Sequence, residues 1–294
     1  MKVLLLGCNG LLGQNLLNSL PTGWQAVGSD LRPDPVLPKR LTAYHGLDMS
    51  RRADLEKLVG EVAPDWIFNA AALTDVDLCE REKDLCNRIN RDVVGWLAAT
   101  GIPVVQISTD YVFDGESGPY SEDDPTHPLS QYGSAKLESE ALTFAGSPRS
   151  LVLRTITLWG KGNGMKTSFV EFVRKNLEAG KPVRIVTDQW GNPTLAEDLA
   201  LAILKLVSMG KSGLYHVAGS EWNSRFQWAE AIAAFYGLDQ KLIQPCLTAD
   251  LKQAARRPLQ SGLRIDKLIR ETGFCPRNVE AQLRRMEEQA VSAA

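Results

Sequence analysis

Tyr132 and Lys136 stand four residues apart in "QYGSAK". On a helix these positions share one face. A phenol with a pKa of about 10 is a poor acid or base at neutrality, and a nearby ammonium favours its phenolate form. Such a pair can pass a proton to a carbonyl oxygen while a nicotinamide passes hydride to the carbon. Taken alone, the spacing is common, and a solvated surface pair is its default reading.

The preceding segment adds weight to the chemical reading. "QISTDYVFDG" closes an apolar run with Ser108 and Thr109. A hydroxyl at the carboxyl edge of a buried strand can hydrogen-bond the same carbonyl oxygen, because that edge is where doubly wound sheets bind ligands. "NAAA" ends another apolar run, and the small side chains of Ala70, Ala71 and Ala72 let a flat ring approach the backbone.

Near the N-terminus, "KVLLLG" leads into Gly7-Cys8-Asn9-Gly10-Leu11-Leu12-Gly13. Glycines at every third position between strand and helix suit a tight turn beside a pyrophosphate, with the helix N-terminus attracting the phosphates. The spacing is not G-x-G-x-x-G. Asp30 ends the next strand, where an acidic residue meets the adenosine ribose hydroxyls and points to NAD. Arg32 points the other way, since it could neutralise a 2′-phosphate. Asp48, with Met49 beside it, is placed to meet the adenine amino group, and equally to cap the helix beginning near Arg51.

These residues need a frame. Short apolar runs at "KVLLLG", "WQAVGSD", "LTAYHG", "PDWIFNAAA", "IPVVQISTD" and "SLVLRT" alternate with helical patterns at 51–62, 84–100 and 134–145. This rhythm predicts an α/β fold, a doubly wound parallel Rossmann-type sheet with helices on both faces. It covers residues 1–155 as a dinucleotide-binding domain. Residues 156–294 are expected to form a smaller mixed α/β substrate-binding region, with 194–218 returning to the first domain. "FVEFVRKNLEAGK", "LAEDLALAILKLV" and "RFQWAEAIAAFYG" read as helices, and "PVRIVTDQ" and "GLYHVAG" as strands.

Composition bounds the function classes. The chain has 294 residues and a formal net charge of −2 from 33 basic and 35 acidic residues. No nucleic-acid partner is implied. Five scattered cysteines without a Cys-x-x-Cys pair, and three histidines, argue against a zinc site or a disulfide framework and fit a reducing cytoplasm. The N-terminal apolar run is too short for a secretion signal, and no membrane span is expected.

Glycine turn, NAAA, strand-end Ser-Thr and Tyr-x-x-x-Lys, in this order, resemble the extended short-chain dehydrogenase/reductases. More narrowly, "NAAALTDVDLCE", "STDYVFDG", "YGSAK", "LRTITLWG" and "DQWGNPT" resemble the dTDP-4-dehydrorhamnose reductase family, well over residues 1–225 and loosely beyond. The resemblance implies NADPH- or NADH-dependent reduction of the 4-keto group of dTDP-4-dehydro-L-rhamnose. It implies Tyr132 as proton donor, Lys136 lowering its pKa and holding the nicotinamide ribose, and Thr109 orienting the keto oxygen ahead of Ser108. Asn90 falls where the superfamily places an asparagine near the site. Thr74, Asp110 and Val112 lie in the matching motifs as substrate contacts. Trp159 and Trp190 are candidates to stack on base or sugar. Arg256 and Arg257, then Lys161 or Lys166, are candidates for the substrate phosphates.

Two departures from the family pattern stand out. Gln260 replaces an asparagine before Ser261, and Asn15 occupies the position of a glutamate that binds magnesium in some members. Glu197 matches another acidic position, but one carboxylate does not make a metal site, so no metal is expected. The expected form is a monomer or homodimer acting on a small-molecule nucleotide sugar. The alternatives are a sugar-nucleotide epimerase of the same superfamily, or a non-catalytic regulatory subunit resembling the methionine adenosyltransferase beta subunit.

Overall fold

In a computed structural model, residues 1–165 and 168–291 are described; the Lys166 candidate lies outside them. Six strands open the chain: β1 (Lys2–Leu6), β2 (Gln25–Asp30), β3 (Ala43–Gly46), β4 (Trp66–Asn69), β5 (Val104–Thr109) and β6 (Leu151–Thr155). Between them run α1 (Leu11–Ser19), α2 (Arg52–Val62), α3 (Val76–Arg81), α4 (Lys83–Asn87), α5 (Val93–Ala98) and α6 (Gln131–Gly146). The second half holds β7 (Leu158–Trp159), α7 (Phe169–Glu178), β8 (Val183–Val186), β9 (Trp190–Gly191), β10 (Thr194–Leu195) and α8 (Ala196–Ser208). It continues with β11 (Gly213–His216), β12 (Asn223–Ser224), α9 (Arg225–Phe235), β13 (Ile243–Cys246), α10 (Asp266–Thr272) and α11 (Val279–Val291).

Seven strands form one parallel sheet in the order β11-β6-β5-β4-β1-β2-β3. Both faces are covered, which is why β1 reads as an unbroken apolar run. Its residues still alternate. Val3 and Leu5 join a core with Leu12, Leu16 and Leu17 of α1 and Leu199, Ile203 and Leu206 of α8. Leu4 and Leu6 face Leu55, Leu58 and Val59 of α2 and Val93 and Leu97 of α5. A second core gathers Val170, Val173, Val183, Trp228, Ile232, Leu283 and Met286 from α7, β8, α9 and α11. None of the helices among the described residues is long and apolar enough to cross a membrane.

The chain leaves β1 for β2 and β3, then returns to β4 on the other side of β1. This reversal opens a crevice at the carboxyl ends of β1 and β4, the place where open α/β sheets take ligands.

Two expected elements differ in detail. The helix expected over 84–100 is interrupted by a π-helical turn at Arg88–Asp92 that joins α4 to α5. The helix expected from 134 begins at Gln131, capped by the Ser130 side chain, which accepts from the Gly133 N–H. The earlier start puts Tyr132 and Lys136 both inside α6.

Candidate active site

At the end of β1 the chain turns at Gly7, whose φ is +74°, a conformation L side chains rarely adopt. A Cβ there would lie 2.8 Å from the Ala71 nitrogen, so the turn and the end of β4 are in backbone contact. Gly13 makes the second close approach, with a Cβ position 2.3 Å from the Gly7 carbonyl oxygen. Gly10 forms the N-cap of α1 and offers no side-chain cap, which leaves the first N–H groups of the helix facing outward.

Gly7, Gly10, Asp30, Asp48, Met49 and Ala70–Ala72 line one groove with about 880 Å³ of empty space, open to solvent. Leu31, Leu47 and Leu73 supply apolar walls. Among the expected cofactor contacts, Leu12 is buried in the core, so only its backbone can face a ligand. Asn9 is buried too, and its side chain ties down the loop after β2 by donating to the Asp34 carbonyl (3.1 Å) and accepting from the Val36 N–H (2.8 Å). Asp30 accepts from the backbone N–H of Asn9 (3.1 Å), joining the glycine turn to the end of β2. Arg32 is exposed at the groove's edge. The Ser50 side chain, then its N–H donating at 3.0 Å, holds the Asp48 carboxyl below the usual range, while the N-cap of α2 is Arg51. A narrow cradle closed by glycine, polar at Asp30 and Asp48 and apolar between, fits a dinucleotide.

On β5, Ser108 and Thr109 point in opposite directions. Ser108 donates to Glu140, whose carboxylate takes a two-pronged pair of bonds from Arg154 at 2.9 and 2.7 Å. Ser108 is thus committed to a buried network. Thr109 instead lies close enough to the Tyr132 phenol to favour its ionised form, and its hydroxyl donates to Asp110 at 3.1 Å. Asp110 also accepts from Ser261 at 2.6 Å.

What places Tyr132 there is Gly133. Its Cβ position would be 2.2 Å from the Tyr111 carbonyl oxygen, so the first turn of α6 rests directly on the backbone after β5. The Tyr111 and Tyr132 rings meet edge to face at 5.7 Å.

Tyr132 and Lys136 are both buried, and burial is the leading influence on each. Burial, then the Asp110 carboxylate, pushes the Tyr132 phenol above its ordinary value. Lys136 is itself pulled down to about 8 by burial, against the opposing pull of Glu140. It is 2% exposed, and among the described residues no carboxylate oxygen lies within 4.0 Å of its ammonium. Asp110 is raised to about 6, again chiefly by burial. Beneath Tyr132 sit the thiols of Cys79 and Cys86. Asn90, in the π-helical turn, exchanges two hydrogen bonds of 2.9 Å with the Leu73 backbone and so fixes the segment following NAAA.

Beside Asp110 a second cavity opens, lined by Tyr111, Gln189, Trp190, Asn223, Arg225 and Ser261 among others. Trp190 reaches it while packing against Trp222 at 4.7 Å. Several expected substrate contacts do not reach it. Trp159 is fully buried in the second core, its indole N–H bonded to Gln282 at 2.8 Å, so it cannot stack on a ligand. Val112 is buried among Phe113, Tyr120 and Ile156, because the turn after Thr109 points it inward. Lys161 lines a separate depression with Asn15 and Glu197. Thr74 and Arg256 are exposed. Arg257 is anchored on Asp77 at 3.0 Å and approaches Tyr111 closely enough to influence it. Gln260 is exposed, and its backbone N–H donates to the Gly115 carbonyl. Both Glu197 oxygens are taken by Arg285, at 2.7 and 2.8 Å, with Arg277 nearby, so its carboxylate is already neutralised.

Gln189, Asn223 and Arg225 escaped the sequence reading. They come from two segments more than thirty residues apart, Gln189 within "DQWGNPT" and Asn223 with Arg225 at the start of α9, and no spacing links the two.

The family described as RmlD substrate binding domain matches residues 1–292. The chain is 33% identical to the spore coat polysaccharide biosynthesis protein SpsK of Bacillus subtilis, over 99% of each protein. Among solved structures, a dTDP-4-dehydrorhamnose reductase of Clostridium acetobutylicum superposes with a TM-score of 0.87, at 31% identity and over 99% of both chains. A dTDP-4-dehydrorhamnose reductase of Bacillus anthracis in complex with NADP gives a TM-score of 0.84 at 27% identity, covering 98% of this chain and 99% of that one. With its glycine cradle, its Thr109–Tyr132 contact and a match running from the first residue to the 292nd, the chain belongs to the RmlD substrate binding domain family.

Proposed function

We propose that this protein reduces the 4-keto group of dTDP-4-dehydro-L-rhamnose to give dTDP-L-rhamnose, with NADPH or NADH, in the cytoplasm. The observation that carries the reading is the meeting of the Thr109 hydroxyl and the Tyr132 phenol at the carboxyl rim of the sheet, beside the glycine-walled groove. The names of the relatives, one of them solved with NADP, support the substrate and cofactor classes. Four buried cysteines and one exposed one, all free, suit a reducing compartment.

Reduction needs a proton on the carbonyl oxygen, and the raised value of Tyr132 keeps that proton on the phenol until it is required. Thr109 holds the keto oxygen against the phenol. Lys136 supplies a buried positive charge for the nicotinamide ribose hydroxyls and for the phenolate left after transfer. Gly7, Gly10 and the N-terminus of α1 receive the pyrophosphate, and Asp30 or Arg32 the adenosine ribose. When bound, the nicotinamide supplies hydride to the carbonyl carbon. Asp110 anchors the substrate side, with Trp190 on the same cavity wall.

The test is consumption of NADPH and NADH with freshly generated dTDP-4-dehydrorhamnose. We expect substrate-dependent oxidation of at least one. Folded protein that oxidises neither overturns the reading.

A further inference from the structure

Arg225 is the first residue of α9, fixed in place by the capping box of Ser224 and Gln227 and by its own backbone N–H donating to the Gln189 carbonyl at 2.9 Å. Its side chain runs inward across the faces of Phe169 and Trp228, each 5.4 Å from the guanidinium carbon. The guanidinium ends at the cavity beside Asp110. It has five N–H donors. Among the described residues one hydrogen bond is made, to the Thr157 hydroxyl at 2.8 Å, and no carboxylate oxygen lies within 4.0 Å.

Drawing a guanidinium partly out of water and leaving most of its donors without protein acceptors is costly. The remaining donors face a cavity whose other wall is Asp110. Its two oxygens accept from Thr109 and Ser261 and retain lone pairs. Cation and anion confront each other across this space without forming a pair. A ligand that both donates and accepts completes the arrangement, and a ring bearing hydroxyls does both. The charges of the two walls balance, so the cavity suits a neutral polyol better than a diphosphate. Asp110 directly follows Thr109, which puts a ring held here within reach of the residues that act on its carbonyl.

We propose that Arg225 is a specificity-determining residue that donates from its guanidinium to an oxygen substituent of the substrate's sugar ring, held in the cavity between Arg225 and Asp110. This rests on the keto-sugar-nucleotide reading above. Arg225 selects for an acceptor at the ring position it meets, and a sugar lacking that oxygen leaves a half-buried cation unsatisfied.

Calorimetric titration tests this with the full chain saturated with oxidised cofactor, comparing dTDP-L-rhamnose with dTDP, which lacks the sugar. Wild-type protein is expected to bind dTDP-L-rhamnose more tightly. Arg225→Met keeps the stem over Phe169 and Trp228 and removes the donors. It should weaken dTDP-L-rhamnose by about 10–100-fold and leave dTDP within about twofold. Unchanged affinity for both ligands overturns the proposal. An equal loss for both also overturns it, because the effect then lies in the nucleotide or the fold. Wild-type protein indifferent to both ligands would instead sink the substrate reading, and this one with it. Should Arg225→Met not fold, Arg225→Lys keeps the charge without the planar fork and is held to the same comparison.

Discussion

Asp110 sits between Thr109 and Tyr111 with its carboxylate on two hydroxyls, and its charge is second only to burial in keeping the Tyr132 proton in place. The raised phenol of Tyr132 keeps its proton, which suits the proposed proton-donor role drawn from "QYGSAK". Tyr132→Phe should lower kcat for keto-sugar reduction by about 10²–10⁴-fold while NADPH still binds. An unchanged rate takes the phenol out of the mechanism. Lys136, drawn down to about 8, loses its positive charge as pH rises through that value. The reduction rate should accordingly fall between pH 7 and 9.5, and a flat profile over that span would show that the ammonium is not needed. Tyr132, Lys136 and Thr109 could be read from sequence because their relation is local, a helix spacing and a strand end. Trp159 and Val112 could not, since residue type does not say which way a side chain faces, and both face inward. Arg225 was hidden for another reason: its one hydrogen-bond acceptor lies 68 positions away.

The elements matter through the distances they impose. The apolar runs of the parallel sheet were plain because both faces are buried, and the order of strands follows from right-handed crossovers. Less visible was how closely α6 approaches β5. Gly133 sets that approach, since a Cβ there would meet backbone at 2.2 Å with nothing flexible to yield. Gly133→Ala should destabilise the protein by about 1–3 kcal/mol and reduce kcat with little change in cofactor affinity, read by urea unfolding and fluorescence titration. Gly60, exposed within α2 with open space around it, is the control. Gly60→Ala should stabilise by about 0.5–1 kcal/mol. The π-helical turn around Asn90 had no sequence signal, because the pattern of buried residues continues through it.

Across the whole molecule, the C-terminal segment is bolted to the sheet's supporting layer. Arg277 and Arg285 of the last segment meet Glu197 and Asp198 at the start of α8, and Gln282 links Trp159 with the Pro193 carbonyl. Arg277→Ala strands the buried Asp198 carboxylate and should cost about 2–4 kcal/mol. Arg285→Ala, at a more exposed site, should cost about 1 kcal/mol. Equal losses in urea unfolding would mean that the buried carboxylate is not what Arg277 serves.

Ser261 reaches back 151 positions to hold Asp110 beside the catalytic rim. All seven strands of the main sheet are complete by His216. A nascent polypeptide can therefore finish its central scaffold on the ribosome, and even clasp a dinucleotide, while the chamber for the sugar still lacks a wall. The wall it lacks is supplied by residues that follow His216 in the chain, Asn223, Arg225 and Ser261 among them, so a product cut short there is a cofactor-holding shell without an occupation.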